Sequence, residues 1–387
     1  MTKLALVHDY FIQMGGAERV AEELHSMFPD APMYTTVDLR KQLPPNLKNA
    51  EVRRSWMQRL PINRKNHRNY FLIYPFAIES LDFCEFDLIL SSSTGFAKGV
   101  KKRSGAIHIN YCHAPMRWVW RYADYAAREG FGCVKRNLLP ILLAGLKRWD
   151  LRAAEQPDYF IANSNVIAER IKQCYGREAV VIPPPIDVER FSADEPDEDY
   201  YLLLSRLAPY KRLDLAIEAC KKLDRPLVVI GDGTARQQLE KIAGPKTRFL
   251  GRQPDEVVAQ YAGRCRALIF PGEEDFGMTP LEINAAGRPV IAYRAGGATE
   301  TVINRKTGVF FEKQTAESAA QAIEEFESLS WNRAELRRHA EKFDRNVFAD
   351  RISKFLNSVA PSAFAAPVSE PAVNSKFTLQ QGTAAQH

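Results

Sequence analysis

Short apolar runs alternate with longer amphipathic stretches along almost the whole chain, and the alternation breaks once, at Val181-Ile182-Pro183-Pro184-Pro185-Ile186-Asp187. A strand-then-helix order repeated many times points to parallel sheets with helices on both faces. Three consecutive prolines stiffen the backbone and five acids follow between Asp194 and Asp199, a composition suited to an interdomain linker. The break therefore predicts an α/β chain of two doubly wound, Rossmann-like domains, residues 1–185 and 186–345. The length of 387 residues agrees, because single cores usually stop growing below ~300 residues. A helix over 346–360 and a tail over 361–387, rich in Ala, Pro, Ser and Gln and predicted to be disordered, complete the chain.

The first series predicts strands at Leu4–His8, 87–92, Ile107–Cys112 and 159–163, a helix over 17–28, and a mostly helical stretch over 115–155 bearing Trp118, Trp120 and Trp149. The second predicts strands at 200–205, 227–231, near Phe249, at Ala267–Phe270 and at 290–292, with helices over 213–223, 235–242 and within 316–358. No run approaches the roughly 18 apolar residues needed to span a bilayer. The start, Met1 to Asp9, reads as a first core strand and not as a secretory leader. Cys84, Cys112, Cys133, Cys174, Cys220 and Cys265 form neither a CxxC nor a Cys/His cluster, which predicts reduced thiols in the cytoplasm and no structural zinc.

Doubly wound domains bind ligands at the carboxyl ends of their strands, so strand-to-helix loops are where chemistry belongs. Gly15-Gly16-Ala17-Glu18 lies in the first such loop; it is either a tight turn or a place where backbone N–H groups meet an anion at a helix N-terminus. It is not GxGxxG, so a nicotinamide dinucleotide fingerprint is absent. Ser205-Arg206-Leu207-Ala208-Pro209-Tyr210-Lys211-Arg212 follows a strand; Arg206 and Lys211 are either surface cations capping a loop or a pair that can converge on one diphosphate, a planar fork beside a point charge. In Pro271-Gly272-Glu273-Glu274-Asp275-Phe276-Gly277-Met278-Thr279-Pro280-Leu281-Glu282, carboxylates at Glu274 and Glu282 suit vicinal hydroxyls of a sugar and a ribose. The Phe276-Gly277 turn would expose N–H groups beside them. The competing structural reading makes Thr279 the N-cap, Pro280 the first helical residue and Glu282 the far side of a capping box. Gly296-Gly297-Ala298-Thr299-Glu300 forms another phosphate-sized loop, and His113 follows a strand and so faces the cleft, either as a structural imidazole or as a ligand contact.

Charge is unevenly shared. Residues 1–185 hold 26 Lys/Arg against 18 Asp/Glu and the remainder 27 against 29, so the first half carries +8 and the remainder −2 of the net +6. Between Val52 and Ile78 there is no acid, while Arg53, Arg54, Arg59, Arg64, Lys65 and Arg68 are all basic. This field favours anionic partners, or else is a solvated face. Nucleic acid is set aside, since no aromatic RNA-binding motif or zinc-finger spacing accompanies the charge.

Gly15-Gly16, His113-Ala114-Pro115, Arg206 with Lys211, Gly231-Asp232-Gly233, Glu274-Asp275-Phe276-Gly277 with Glu282, and Gly296-Gly297 with Glu300 together resemble the glycosyltransferase family 4 pattern on the GT-B fold. The resemblance runs from about residue 3 to 355 and is sharpest between 200 and 303. After the second glutamate the family usually shows a small residue, where this chain has Ile283 and Asn284. The resemblance implies retention of anomeric configuration, no catalytic metal or cofactor, a donor held mainly by the second domain and an acceptor held by the first. It assigns Arg206 and Lys211 to the diphosphate, Glu274 to the transferred sugar, Glu282 to the ribose, and His113 to the donor sugar from the opposite side. Gly15, Gly16, Gly231, Phe276 and Gly277 line the donor, and the last helix crosses back to the first domain.

His8-Asp9-Tyr10, Tyr111-Cys112-His113-Ala114-Pro115-Met116-Arg117 and Trp120 are similar to bacterial mannosyltransferases of O-antigen (lipopolysaccharide) and exopolysaccharide assembly. That likeness implies GDP-mannose as donor and a lipid-diphosphate-linked glycan as acceptor. It makes the 53–68 stretch an acceptor and anionic-membrane docking patch, on the cytoplasmic face of the membrane. Two other functions remain open: a nucleotide-sugar epimerase of the same fold, and a non-catalytic sugar-nucleotide-binding subunit of a polysaccharide assembly complex.

Overall fold

The computed structural model describes residues 3–64, 66–120 and 133–361. Lys65, residues 121–132 of the expected helical stretch, and the tail beyond residue 361 lie outside them. Two parallel sheets form, one on each side of the proline break. The first contains β1 (Leu4–His8), β2 (Met33–Thr35), β3 (Val52–Arg54), β4 (Leu88–Ser93), β5 (Ile107–Cys112), β6 (Tyr159–Ala162) and β7 (Ala179–Val181), in the order 3-2-1-4-5-6-7. The second contains β8 (Tyr201–Leu204), β9 (Leu227–Ile230), β10 (Thr247–Gly251), β11 (Ala267–Phe270), β12 (Val290–Tyr293) and β13 (Gly308–Phe311), in the order 10-9-8-11-12-13.

Both faces of each sheet are covered, so β4 and β11 are buried at every position and read as unbroken runs instead of alternating ones. In the second lobe Leu202, Val228 and Leu268 face one core with Phe276 and Leu281, while Tyr201, Leu203 and Val229 face another with Leu213 and Ile217. In the first lobe Val7 and Ile89 pack with Tyr74, Phe96 and Trp149. Leu6, Leu90 and Tyr111 pack on the other face against Val20 and Leu24 of the helix Gly16–Met27.

That last core is finished by the far end of the chain. Helix Arg345–Val359 leaves the second lobe and inserts Phe348, Ile352 and Leu356 beside Tyr111 and Ile182 of the first. The chain thus crosses between lobes twice, at Ile186 and at Asp344. The two crossings lie side by side as a parallel bridge, with the Ile186 N–H donating to the Phe343 carbonyl at 2.9 Å.

Strands β2, β3, β7 and β13, of three or four residues each, are additions to the expected set. In both sheets the strand order reverses at one place, between β1 and β4 and between β8 and β11. A crevice opens at each reversal, because the loops there leave in opposite directions. Gly15-Gly16 leaves β1, Arg206–Lys211 leaves β8 and Glu274–Gly277 leaves β11, so these three motif-bearing loops border one or the other crevice.

Candidate functional site

The second lobe assembles its part of the site from two loops in contact. After β8 the chain makes a short helical turn over Pro209–Lys211 and escapes through Arg212, held in the left-handed region at φ 52°. After β11, Gly272 passes so close to this turn that a Cβ there would lie 3.0 Å from the Lys211 carbonyl oxygen. The approach brings the Lys211 ammonium onto the Glu274 carboxylate in a direct ion pair. Arg206 Nη2 donates to the Tyr210 hydroxyl at 2.7 Å, and its Nη1 reaches Gln13 of the first lobe at 3.4 Å. Gly231 and Gly233 support this loop from beneath: a Cβ at Gly231 would sit 1.9 Å from the Ser205 oxygen, and one at Gly233 2.2 Å from the Leu207 oxygen.

The 274–277 loop is gripped along its main chain. The Gly297 N–H donates to the Glu274 carbonyl at 2.8 Å, and a Cβ on Gly297 would fall 2.2 Å from the Phe276 Cα. Phe276 turns its ring into the core beside Phe343, so only its backbone is available to a ligand. The capping box is not formed. Helix Met278–Ala285 is entered through Gly277 at φ 87°, with no side-chain cap, which places Thr279 inside the helix and Glu282 beyond its first turn. The backbone grip of Gly296-Gly297 on Glu274 and Phe276 sets the helix start, and only glycine follows that path without strain.

Glu282 instead faces two arginines. Its Oε1 accepts from Arg19 Nη1 of the first lobe and from Arg190 Nη2, each at 3.1 Å, and both guanidinium groups also reach Asp255. Asp275 takes Arg117 Nε at 3.1 Å and Arg170 Nη1 at 2.6 Å, and its carbonyl accepts from Ser164 Oγ at 2.7 Å. Arg170 Nη2 also donates to Glu273 at 2.9 Å. Glu300 caps the helix Asn165–Tyr175, accepting the N–H groups of Asn165 and Val166 at 2.9 and 3.0 Å. Arg19, Arg117, Arg170, Asp255 and Asp275 thus join the candidate site without having been singled out for it. Their partners lie 65 to 263 residues away in sequence, so no local spacing marks them.

On the first lobe, a Cβ at Gly15 would meet Glu18 Oε2 at 3.0 Å, so the Glu18 carboxylate folds back over the glycine turn. Burial pushes this carboxyl up to about 7, while hydrogen bonds from the backbone at Glu18 and Gly15 act in the opposite direction. A Cβ at Gly16 would meet Met278 Sδ at 3.0 Å, so Gly16 also serves as the point where the two lobes approach. Asp9 holds the loop after β4 through four bonds, from Thr94 N and Oγ1 and from the N–H groups of Phe96 and Ala97, at 2.6 to 2.8 Å.

The Ser92 hydroxyl sits between His8 Nδ1 at 3.1 Å and His113 Nε2 at 2.8 Å. Burial drives both imidazoles down, His113 to about 3 with His8 adding to the effect, and His8 to about 4 against the pull of Asp9. At neutral pH His113 is therefore an uncharged hydrogen-bonding group.

The basic stretch divides. Arg53 pairs with Glu51 and Glu85 and bonds the Tyr34 hydroxyl, and Arg54 pairs with Asp38, so these two serve the lobe's own edge strand. A stretch without local acids borrowed acids from neighbouring segments. Arg59, Arg64 and Arg68 are exposed, beside the exposed apolar side chains of Trp56, Leu72 and Phe76. Among the described residues no group of three or more His, Cys, Asp or Glu is placed to hold a metal ion, and no helix is long and apolar enough to cross a membrane.

Comparison with known proteins fits this geometry. Residues 14–190 match the family model described as Glycosyltransferase Family 4, and residues 186–346 the one described as Glycosyl transferases group 1. An uncharacterized glycosyltransferase of Methanocaldococcus jannaschii is 30% identical over 176 residues, covering 44% of this chain and 50% of that protein. The GDP-mannose-dependent alpha-(1-6)-phosphatidylinositol monomannoside mannosyltransferase of Mycolicibacterium smegmatis is 26% identical over 219 residues, covering 48% of this chain and 56% of that protein. The chain spans about half the length of these curated relatives. The crystal structure of Anabaena HepE in complex with UDP and glucose superposes with a TM-score of 0.65 at 18% identity, over 93% of this chain and 100% of that one, which shows that the fold is GT-B.

Proposed function

Since this chain belongs to glycosyltransferase family 4, we propose that it transfers a hexosyl group, with retention and without a metal, from a nucleotide sugar to a lipid-diphosphate-linked glycan in cell-surface polysaccharide biosynthesis. The observation that carries the reading is the cluster of Arg206, Lys211 and Glu274 in one crevice, two cations with a carboxylate between lobe and cleft. Breaking the anomeric C–O bond leaves negative charge on the nucleoside diphosphate, and fixed cations in a cleft poor in water stabilise that charge. The acceptor hydroxyl adds to the same face of the sugar and its proton passes to the departing phosphate oxygen. Glu274 orients Lys211 and takes sugar hydroxyls, Glu282 takes the ribose, and neutral His113 contacts the sugar from the first lobe.

GDP-mannose is the favoured donor, because a mannosyltransferase dependent on it is among the chain's relatives. Arg59, Arg64 and Arg68, with Trp56, Leu72 and Phe76, form the membrane-docking surface on the cytoplasmic face, each cation near anionic lipid contributing ~1 kcal/mol. The test is the melting temperature with GDP-mannose, UDP-glucose or UDP-N-acetylglucosamine, EDTA present, followed by acceptor-dependent release of the nucleoside diphosphate. A ligand that binds only the folded state raises the melting point. Selective stabilisation by GDP-mannose supports the reading, stabilisation by a uridine donor changes the base, and release without an acceptor counts against a transferase. Failure to co-sediment with anionic vesicles at low salt removes the membrane surface.

A further inference from the structure

The turn that carries Arg206 and Lys211 holds a third polar group between them, the Tyr210 phenol. Its oxygen accepts from Arg206 Nη2 at 2.7 Å. Its ring lies 5.3 Å from the Lys211 ammonium and 5.9 Å from the Arg206 guanidinium carbon. The phenol is half-buried, and its own proton is donated to no other side chain or backbone group among the described residues. Three donors are therefore gathered here (a guanidinium, an ammonium and a hydroxyl) beside the Glu274 carboxylate, which the ammonium already occupies, while Glu18 acts on Arg206 only through space. A donor-rich cluster of this kind lacks an anion with several oxygens.

We propose that Tyr210 is a third ligand of the donor's diphosphate, giving its hydroxyl proton in a hydrogen bond to the phosphate oxygen that Arg206 and Lys211 neutralise. The assignment rests on the donor-site reading above and adds a residue to it. The geometry favours contact over packing, because the ring is only half-buried on a strand-end turn while its hydroxyl is aimed at the cation that faces the cleft. Electrostatics agree: burial alone would raise the phenol, but Lys211 and Arg206 outweigh it and hold the phenol below its ordinary value. Burial raises the other tyrosines whose phenols are shifted, Tyr10, Tyr34, Tyr74, Tyr111, Tyr175, Tyr200 and Tyr201. A neutral donor adds a charge-assisted bond to the diphosphate without adding charge to the site.

The test is calorimetric titration of GDP and of UDP into the wild-type chain, Tyr210→Phe and Lys211→Ala, from pH 7 upward, with melting curves to show that each variant folds. Hydrogen bonds to charged groups are worth enough that Tyr210→Phe should weaken the nucleotide by roughly 10- to 100-fold. Affinity should also fall more steeply with pH in the wild type than in Tyr210→Phe, since the phenolate has no proton to give. Equal affinity and equal pH slope for wild type and Tyr210→Phe overturn the assignment while leaving the donor site intact. Undiminished binding by Lys211→Ala, or binding of neither nucleotide by the wild type, overturns the donor site itself and the assignment with it.

Discussion

Replacing Lys98 with methionine should be among the most damaging single changes in the first lobe that leaves every proposed ligand-binding residue in place. Lys98 and Asp150 form an ion pair at 2.5 Å with side chains 1% and 0% exposed. Asp150 Oδ2 also accepts from Trp120 Nε1 at 2.7 Å and from the Tyr175 hydroxyl at 2.8 Å, and Lys98 donates to the Gly95 carbonyl. Methionine fills nearly the same volume but strands a buried carboxylate without its counter-charge, which costs ~3–5 kcal/mol. For a lobe of roughly 180 residues that is a fall of about 6–20 °C in melting temperature. Adding Asp150→Asn removes the charge and keeps an oxygen for Trp120 and Tyr175, so the double variant should regain at least about half of the loss. Thermal and urea unfolding, followed by fluorescence of the first lobe, measure both numbers. A Lys98→Met variant within ~1 kcal/mol of wild type, or a double variant less stable than the single one, would refute the argument that unpaired charge is the cause.

Three further outcomes are expected. Glu18 has its folded pKa raised from 4.5 to about 7, so the native state binds the extra proton; its contribution to stability is complete below pH 4.5 and is lost as pH rises to about 7. The loss is on the order of 3 kcal/mol, and Glu18→Gln should flatten that limb in urea titrations between pH 4.5 and 8. Gly297→Ala drives a Cβ into the Phe276 main chain and should cost ~1–3 kcal/mol of stability and raise the donor KM, whereas an unaltered donor KM would show that the 274–277 loop is not a donor contact. Arg19→Ala leaves Glu282 paired with Arg190 alone and removes a bond between lobes; small-angle scattering should report a more open chain, and an unchanged profile would mean that this contact does not hold the lobes together.

Much of this molecule is legible in the sequence because each lobe repeats one unit. Leu4–His8, Ile107–Cys112 and Ala267–Phe270 form strands at the expected bounds, since long apolar runs between turn signals have few other fates. Strands such as Met33–Thr35 and Gly308–Phe311 are too brief to carry a period, and their identity comes from the neighbour they pair with. The motif loops could be placed because strand ends locate them. Thr279 shows the limit: a capping box was available in the local sequence, but a tertiary grip two loops away moved the helix start to Gly277. Arg53 shows another, for beside Glu51 two residues before it a second acid arrives from position 85. Contacts between lobes, such as Arg19 on Glu282 or Arg117 on Asp275, were invisible for the same reason: nothing within either segment announces the other.

The paired crossings at Ile186 and Asp344 have a consequence for how the lobes can move and how the chain can be made. One covalent connection is a ball joint with three rotations; two connections bonded flank to flank act more like a strap hinge, which bends about a single line and resists twist. Opening along that arc returns Arg19 to Glu282 and Arg117 to Asp275 without a search for register. The same arrangement delays completion during synthesis. The first lobe has its sheet by residue 181, yet the face lined by Leu6, Tyr111 and Ile182 waits for Phe348, Ile352 and Leu356, so this half stays unfinished until almost the whole described chain has left the ribosome.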